Sequence, residues 1–333
     1  MELTTLWFIL IAVLWIGYFI LEGFDFGVGI LLHVLGRNEP ERRAMLRTIG
    51  PVWDGNEVWV LVAGGATFAA FPEWYATLFS GFYLPLFLVL VGLIVRGIGI
   101  EYRNKRGDGP WRARMDVMVA VGSLVPSILW GVAFANIVAG VPIDADRNYT
   151  GNLFTLLNPF GLLGGLTTLG LFTTHGLLFL ALKTEGDLRV RARRLTFPVG
   201  LATAVVAVAF LLWANAQAGD AVSLIAAVIA AVAWLLALGA AWIRREGVAF
   251  VASAVTLAMA VASLFLALFP NVMPSTTDPA FSLTVTNAAS TPYTLTIMTV
   301  VAVIFVPLVL AYQGWTYYVF RKRVTVPRAG VEA

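Results

Sequence analysis

The sequence predicts an all-α integral membrane protein with about nine transmembrane helices, and three observations lead to this fold class. Hydrophobic residues make up 59% of the 333 residues, charged residues make up only 12%, and the mean hydropathy is +0.85. Soluble domains carry about a quarter charged residues, so this composition excludes a soluble enzyme. The apolar residues also occur in runs of about twenty, the length of a helix that crosses roughly 30 Å of hydrocarbon.

Nine apolar runs are long enough to be predicted as membrane spans. In chain order they cover residues 7–34, 55–72, 75–98, 117–139, 159–182, 197–215, 222–243, 248–269 and 293–320. The first run is not predicted to be a cleaved signal peptide, because Glu2 stands where a basic segment is expected and the run is too long. The second run is the weakest because it begins in the polar residues 53–57, but the third run needs a connection from the opposite side of the membrane.

Local signals support two of these helices in more detail. Asn158 followed by Pro159 is typical of an N-cap and of the first helical position, so the fifth span should begin there. Small residues allow helices to approach closely in a membrane. The first and fifth spans are therefore predicted to pack through their glycines, which are Gly23, Gly27, Gly29, Gly161, Gly164, Gly165 and Gly170.

The basic residues predict the orientation in the membrane. Every one of the 22 Lys and Arg residues except Arg147 falls in or beside the connections on one side of a nine-helix chain. The positive-inside rule then places the N-terminus outside and the C-terminus in the cytoplasm. A wrong number of helices would have mixed the two groups, so the partition also supports nine spans. Topology explains the basic connections, and we predict no nucleic-acid partner.

Carboxyl groups inside the predicted spans are the candidate functional residues. Glu22 and Asp25 lie in the first span, and Asp54 and Glu57 lie where the second span begins. A carboxylate in hydrocarbon costs at least about 2.5–3.5 kcal/mol, so each one requires a reason. A spacing of three residues places each pair on one face of its helix.

The predicted orientation brings several of these groups to one depth. Asp25 lies roughly 27 Å along the first helix from its outer end, and Asp54, Glu57 and Glu101 lie at the cytoplasmic ends of the next two spans. Such a cluster suits proton uptake from the cytoplasm or pairing with basic groups of a partner. The structural alternative is that Asp54 and Glu57 only satisfy free N–H groups at a helix start. Glu101, in the same view, only pairs with Arg96 or Arg103.

Cofactor ligands are scarce in this chain. It has no cysteine, which excludes thiolate metal sites, and His33 and His175 are its only histidines. Two histidines could hold one low-spin haem or ligate one haem each, but we favour polar roles for both and predict no metal site. From these residues alone, a proton-coupled transporter and an energy-transducing subunit are equally open.

Several longer segments, in order along nearly the whole chain, are similar to subunit II of cytochrome bd-type quinol oxidases. These segments are residues 23–29 (GFDFGVG), 35–38 (LGRN), 41–43 (ERR), 53–59 (WDGNEVW), 63–66 (AGGA), 79–83 (FSGFY), 149–152 (YTGN), 157–163 (LNPFGLL), 269–270 (FP), 273–275 (MPS) and 294–298 (TLTIM). The resemblance is specific because the motifs are long and keep their order.

The resemblance implies a complex in the bacterial plasma membrane that couples quinol oxidation to the reduction of O2 to water. It implies a heterodimer in which the larger partner, subunit I, holds haem b and haem d while this chain binds no cofactor. Contacts with quinone, lipid and a small accessory subunit are also implied for the family. The implied fold is two four-helix bundles, about residues 1–139 and 150–269, and a final helix at 293–320, within one membrane domain of residues 1–333.

The resemblance also implies roles for individual residues. A proton route from the cytoplasm would use Asp25 and Asp54, with Glu101 near its mouth and Glu57 in support. Glu101 stands where relatives can carry Asp, and Trp59 matches a position at the mouth of a proposed oxygen path. Two other classes of function are weighed beside this one: a self-contained proton-coupled transporter, and a structural anchor whose carboxylates only cap helices and pair with arginines.

Overall fold

The computed structural model describes residues 2–326, and α-helices make up most of them. Arg328, one of the basic residues that predict the orientation, lies outside the described residues. The thirteen α-helices of the described part are α1 (Leu3–Ile30), α2 (Leu32–Leu35), α3 (Glu39–Ile49), α4 (Trp53–Ala70), α5 (Pro72–Gly81), α6 (Tyr83–Tyr102), α7 (Gly109–Ala139), α8 (Leu153–Leu156), α9 (Pro159–Lys183), α10 (Gly186–Ala218), α11 (Ala221–Trp242), α12 (Glu246–Leu268) and α13 (Pro292–Val319). A short antiparallel pair of strands, β1 (Asn271–Met273) and β2 (Leu283–Thr284), precedes α13.

Eight described helices are long and apolar enough to cross a membrane, namely α1, α6, α7, α9, α10, α11, α12 and α13. The weak second span corresponds to α4, which falls short of that hydropathy because the polar residues 53–57 occupy its first turns. α4 nevertheless runs antiparallel along α1, since Asn56 contacts Asp25 and the Trp59 ring covers Gly17. The predicted fold class, an all-α membrane protein with about nine spans, is confirmed.

The long helices form two groups of four. α1, α4, α6 and α7 make the first group, α9, α10, α11 and α12 make the second, and α7 and α1 pack on α9 where the groups meet. α13 lies along α1 and α4, outside both groups. The division at residues 1–139, 150–269 and 293–320 stays a prediction as a statement about domains.

The helix boundaries differ from the prediction in several places; α7, for example, begins at Gly109 rather than at residue 117. The third apolar run is two helices, α5 and α6, because Pro85 has no N–H for a continuous helix and fits the first turn of a new one. α10 begins at Gly186 rather than at residue 197, since its charged first turns form ion pairs instead of ending the helix. The amphipathic helix α3 was not predicted. The side chain of Asn38 caps this helix by accepting the N–H of Glu41 at 3.0 Å.

Glycines allow the two groups of helices to pack closely against each other. An added Cβ at Gly27 would lie 2.1 Å from the carbonyl oxygen of Phe172 and 2.8 Å from the Cα of Gly176. At a second crossing, an added Cβ on Gly131 would lie 2.1 Å from the carbonyl oxygen of Gly164. The backbones of α1, α7 and α9 therefore touch directly, as the glycine pattern predicted for the first and fifth spans.

The two ends of the bundle differ in chemistry. At one end, which we call the basic end, α2, α3 and the segment after α13 cover the ends of the long helices. Ion pairs connect the segments at this end: Arg191 pairs with Glu41, and Arg189 and Arg323 pair with Glu246. The opposite end carries α5, α8 and the strand pair. That the basic end faces the cytoplasm stays a prediction.

Candidate functional site

Asp25 lies in the last third of α1 and is completely buried. Its Oδ2 accepts a hydrogen bond from Nδ2 of Asn56 at 2.7 Å, and the same amide nitrogen lies 3.3 Å from the carbonyl oxygen of Leu21. Its Oδ1 has no hydrogen-bond partner among residues 2–326. A buried carboxylate with one free oxygen is expensive in a membrane and is typical of a functional position.

A line of polar side chains extends from Asp25 to α13. Oδ1 of Asn56 accepts hydrogen bonds from the Tyr317 hydroxyl at 2.8 Å and from Nε2 of Gln313 at 3.2 Å. Oε1 of Gln313 in turn accepts the indole N–H of Trp59 at 2.9 Å. We call Asp25, Asn56, Gln313, Tyr317 and Trp59 the polar strip; it connects α1, α4 and α13.

A second buried polar group surrounds Arg96 of α6, whose side chain is fully buried. Its guanidinium pairs with Glu22, which is also fully buried, and with Glu57 at 2.8 Å. The guanidinium also lies 4.7 Å from the centre of the Phe26 ring, a distance at which cation–π attraction operates. We call Glu22, Arg96 and Glu57 the arginine triad; it connects α1, α6 and α4 beside the polar strip.

The structure corrects the interpretation of Arg96 and of Glu101. The sequence pattern places Arg96 beside a basic connection, but α6 continues to Tyr102, so Arg96 lies inside the bundle. The proposed pairing of Glu101 with Arg96 or Arg103 is wrong, because these arginines bind Glu22 and Glu57, and Asp116 and Glu39. Glu101 is exposed at the basic end of α6.

The predicted site residues therefore divide into buried and exposed groups. Asp25 is buried and Glu57 is partly exposed in the arginine triad, whereas Asp54 is exposed in the first turn of α4. Oδ1 of Asp54 accepts the N–H of Gly55 at 2.8 Å, so the capping alternative describes part of its role. It does not describe Glu57, which pairs with Arg96.

The two histidines lie in different surroundings. His33 is exposed on α2. His175 is fully buried, with Nδ1 at 2.7 Å from the Ser253 hydroxyl and Nε2 at 3.2 Å from the carbonyl oxygen of Ile20. Both ring nitrogens of His175 thus already have partners. Within residues 2–326, no three His, Asp or Glu side chains are grouped so as to hold a metal ion.

A further buried arginine, Arg103, forms ion pairs that stabilise the basic end. Arg103, at the end of α6, is 1% exposed and donates to Asp116 at 2.5 Å and to Glu39 at 2.7 Å. Partial burial alone would raise the pKa of Glu39, but the hydrogen bonds and charge of Arg103, together with Arg112 and Arg43, lower it below the ordinary value of 4.5. Sequence reasoning missed this group because its members come from three separate helices.

The lowered pKa of Glu39 predicts an acid-sensitive contribution to stability. Because the pKa is lower in the folded protein, the contribution is complete above pH 4.5 and is lost as the pH falls through the folded pKa. Glu39→Gln should remove this part of the acid loss, so that the melting temperature of the variant falls less between pH 6 and pH 4. Thermal unfolding in detergent measures this, with the exposed Glu185→Gln as control. An unchanged pH dependence in Glu39→Gln would contradict the assignment.

The model of the family described as cytochrome bd terminal oxidase subunit II matches residues 3–320. The chain belongs to this family. The family membership makes the chain a multi-pass membrane subunit of a quinol oxidase, and it implies haems in the complex and a partner subunit I. It also favours an oxidase subunit over a self-contained transporter.

Individual relatives are similar to this chain in sequence over nearly its full length. The chain is 43% identical over 334 residues to the cytochrome bd ubiquinol oxidase subunit 2 of Bacillus subtilis (strain 168), covering 97% of each chain. It is 39% identical over 359 residues to the cytochrome bd-I ubiquinol oxidase subunit 2 of Escherichia coli (strain K12), covering 96% of this chain and 94% of the relative. A chain of the solved bd oxidase from Geobacillus thermodenitrificans superimposes with a TM-score of 0.80 at 17% identity, over 96% of this chain and 99% of that chain. At that identity the superposition shows the fold alone.

Proposed function

We propose that this subunit II binds no haem, supports the haem-bearing subunit I and helps to take up protons from the cytoplasm for the reduction of O2 to water. The observation that carries this proposal is Asp25, a fully buried carboxyl group with one oxygen held by Asn56 and the other without a partner in the described chain. A proton carrier needs a group that can take up a proton without breaking its surroundings, and the free Oδ1 meets that need.

The proposed route begins at the basic end of the bundle. Asp54 and Glu101 are exposed there on α4 and α6 and would collect protons, and Asp25 would receive them in the interior. Glu57 would support the route from the arginine triad, where it is 22% exposed and bonded to Arg96. In this proposal the basic end faces the cytoplasm, the N-terminus lies outside, and the membrane is the bacterial plasma membrane.

The outer face of α4 would contact subunit I. Val58, Leu61 and Val62 are exposed on this helix beside the exposed Asp54. A partner that covers them would enclose Asp54 and turn the surface of α4 into the boundary of a proton route. Haem b, haem d and the quinol site would belong to that partner, since both nitrogens of His175 are occupied and His33 lies on α2. A small accessory subunit and bound quinone or lipid are part of the same proposal.

Asp25→Asn and Asp54→Asn, singly and together, test the proton route. We expect each complex to assemble with its normal haem content, and the double variant to lose at least about tenfold in quinol-dependent O2 consumption. General acid–base groups contribute on the order of 10²–10⁴ to a rate, which makes a tenfold loss a modest expectation. Oxygen uptake and acidification by proteoliposomes are the measurements. The exposed Asp187→Asn, also at the basic end, is the matched control.

Two outcomes would contradict the proposal. A double variant with the full oxidase rate would remove Asp25 and Asp54 from the route. Glu57→Gln and Glu101→Gln extend the test to all four carboxyl groups. If none of the four substitutions changes the oxidase rate, the result would instead favour a subunit that only anchors and stabilises subunit I.

A further inference from the structure

The hydrogen bonds of the polar strip run in one donor-to-acceptor direction, from Trp59 through Gln313 and Asn56 to Asp25. The groups at the two ends of the strip fix this direction. The indole N–H of Trp59 can only donate, and it points at Oε1 of Gln313 from 2.9 Å. The Gln313 amide therefore presents its oxygen to Trp59 and its nitrogen to Asn56. Nε2 of Gln313 can only donate, so Oδ1 of Asn56 accepts at 3.2 Å.

At the other end of the strip, the contacts of Asn56 with Leu21 and Tyr317 indicate the same orientation of the Asn56 amide, independently of Gln313. The carbonyl oxygen of Leu21 can only accept, and it lies 3.3 Å from Nδ2 of Asn56. The Tyr317 hydroxyl adds a second donor to Oδ1 of Asn56 at 2.8 Å. A flipped Asn56 amide would place its nitrogen against the Gln313 nitrogen and its oxygen against the Leu21 oxygen. The Asn56 nitrogen is thereby held towards Asp25.

This direction decides which oxygen of Asp25 can carry a proton. Nδ2 of Asn56 donates to Oδ2 of Asp25 at 2.7 Å, and a proton on Oδ2 would weaken that hydrogen bond because a hydroxyl oxygen accepts less well than a carbonyl oxygen. Oδ1 has no partner among the described residues. We propose that Trp59 and Gln313 are positioning residues that act through Asn56 to confine proton uptake and release at Asp25 to Oδ1.

The inference rests on the proposed role of Asp25 as a proton carrier and adds a geometry to it. A carboxyl group that binds a proton on either oxygen could hand it in two directions, whereas one confined to Oδ1 exchanges it on one side only. Other charged or titratable groups near Asp25 are Glu22 on α1, Glu57 on α4, Arg96 on α6 and Tyr317 on α13. In this view Trp59 acts through its N–H, a role separate from the oxygen path proposed for its position.

The test compares Trp59→Phe, which removes the indole N–H, with Gln313→Met, which removes the amide oxygen and the amide nitrogen at similar volume. The probe is the infrared C=O stretch of protonated Asp25 in the purified complex, identified as the band that Asp25→Asn removes. In the wild type that carbonyl is Oδ2 and accepts from Asn56, so one band is expected. Each variant weakens the hold on the Asn56 amide, whose remaining partners besides Asp25 are the Leu21 carbonyl oxygen and the Tyr317 hydroxyl, and the band should split or move to higher wavenumber. Turnover should fall about threefold to tenfold, as for the loss of one hydrogen bond.

Controls separate this inference from the proposed function. Trp242→Phe, at an exposed position of α11, should change neither the band nor the turnover. If Asp25→Asn slows turnover and removes the band while Trp59→Phe and Gln313→Met leave it unchanged, the positioning inference is overturned and the relay stands. If Asp25→Asn removes no band and costs no turnover, the relay itself fails. Gln313→Met keeps the test decisive should Trp59→Phe not assemble, because a phenyl ring is smaller than the indole that fills the space against Gly17.

Discussion

Arg96→Met should prevent the oxidase complex from accumulating. Arg96 is the counter-charge of the fully buried Glu22, and its removal leaves that carboxylate without a partner inside the bundle. Breaking one side of a buried ion pair costs about 3–5 kcal/mol, which is a large part of the stability of most proteins. The amount of haem-containing complex in solubilised membranes, and its melting temperature, measure the effect.

A matched control and a compensating change make the assignment specific. Arg106→Met alters an arginine whose side chain is 63% exposed and pairs with Asp108 at 3.2 Å, so it should change stability by less than about 0.5 kcal/mol. Glu22→Gln combined with Arg96→Met removes both buried charges and should recover part of the lost complex. An Arg96→Met complex that accumulates and melts like the wild type would show that Glu22 needs no counter-charge.

The spans were predictable because each one is a local property of the chain. A run such as 222–243 is apolar along its whole length, and α11 (Ala221–Trp242) follows it within a residue at each end. Glycine contacts were predictable for a similar reason, since a membrane helix gains from glycine mainly where a neighbour approaches closely. The charged first turns of α10 show the limit of hydropathy, because a helix continues outside hydrocarbon wherever ion pairs support it.

The partners within the candidate site were not predictable in the same way. Asp25 and Glu57 were found because a carboxylate in hydrocarbon is costly, but nothing near Arg96 in the chain indicates Glu22 as its partner. Counting Arg96 among the basic connections was reasonable from its place at the end of an apolar run. The neutral side chains of the polar strip cost less to bury than a charge. A signal for one of them existed, since Gln313 is the one amide in the predicted span 293–320.

The roles of Asp54 and Glu101 were not predictable from contacts within this chain. Both are exposed, and the described contacts do not connect them with Asp25. Their predicted roles depend on the surface of a partner subunit, which no pattern within this chain specifies. The depth of these carboxyl groups in the predicted spans and the resemblance to the family both indicated those roles, and they stay predictions.

Gly27→Leu should abolish assembly, and Gly27→Ala should lower the melting temperature of the complex. At this crossing of α1 and α9 an added Cβ meets the carbonyl oxygen of Phe172 at 2.1 Å and the Cα of Gly176 at 2.8 Å. Backbone atoms cannot rotate away as a side chain can, so the helices have to separate. Overpacking in a rigid core costs about 1–3 kcal/mol or more.

The position of Gly27 gives this substitution a second consequence. Gly27 lies two residues after Asp25, so a displacement of α1 also moves the carboxyl group away from Asn56. Any Gly27→Ala complex that assembles should therefore show a lower quinol oxidase rate per haem as well as a lower melting temperature. Gly239→Ala is the control, because an added Cβ there has no atom within 4 Å. Normal melting and turnover in Gly27→Ala would mean that α1 and α9 are free to separate at this point without disturbing Asp25.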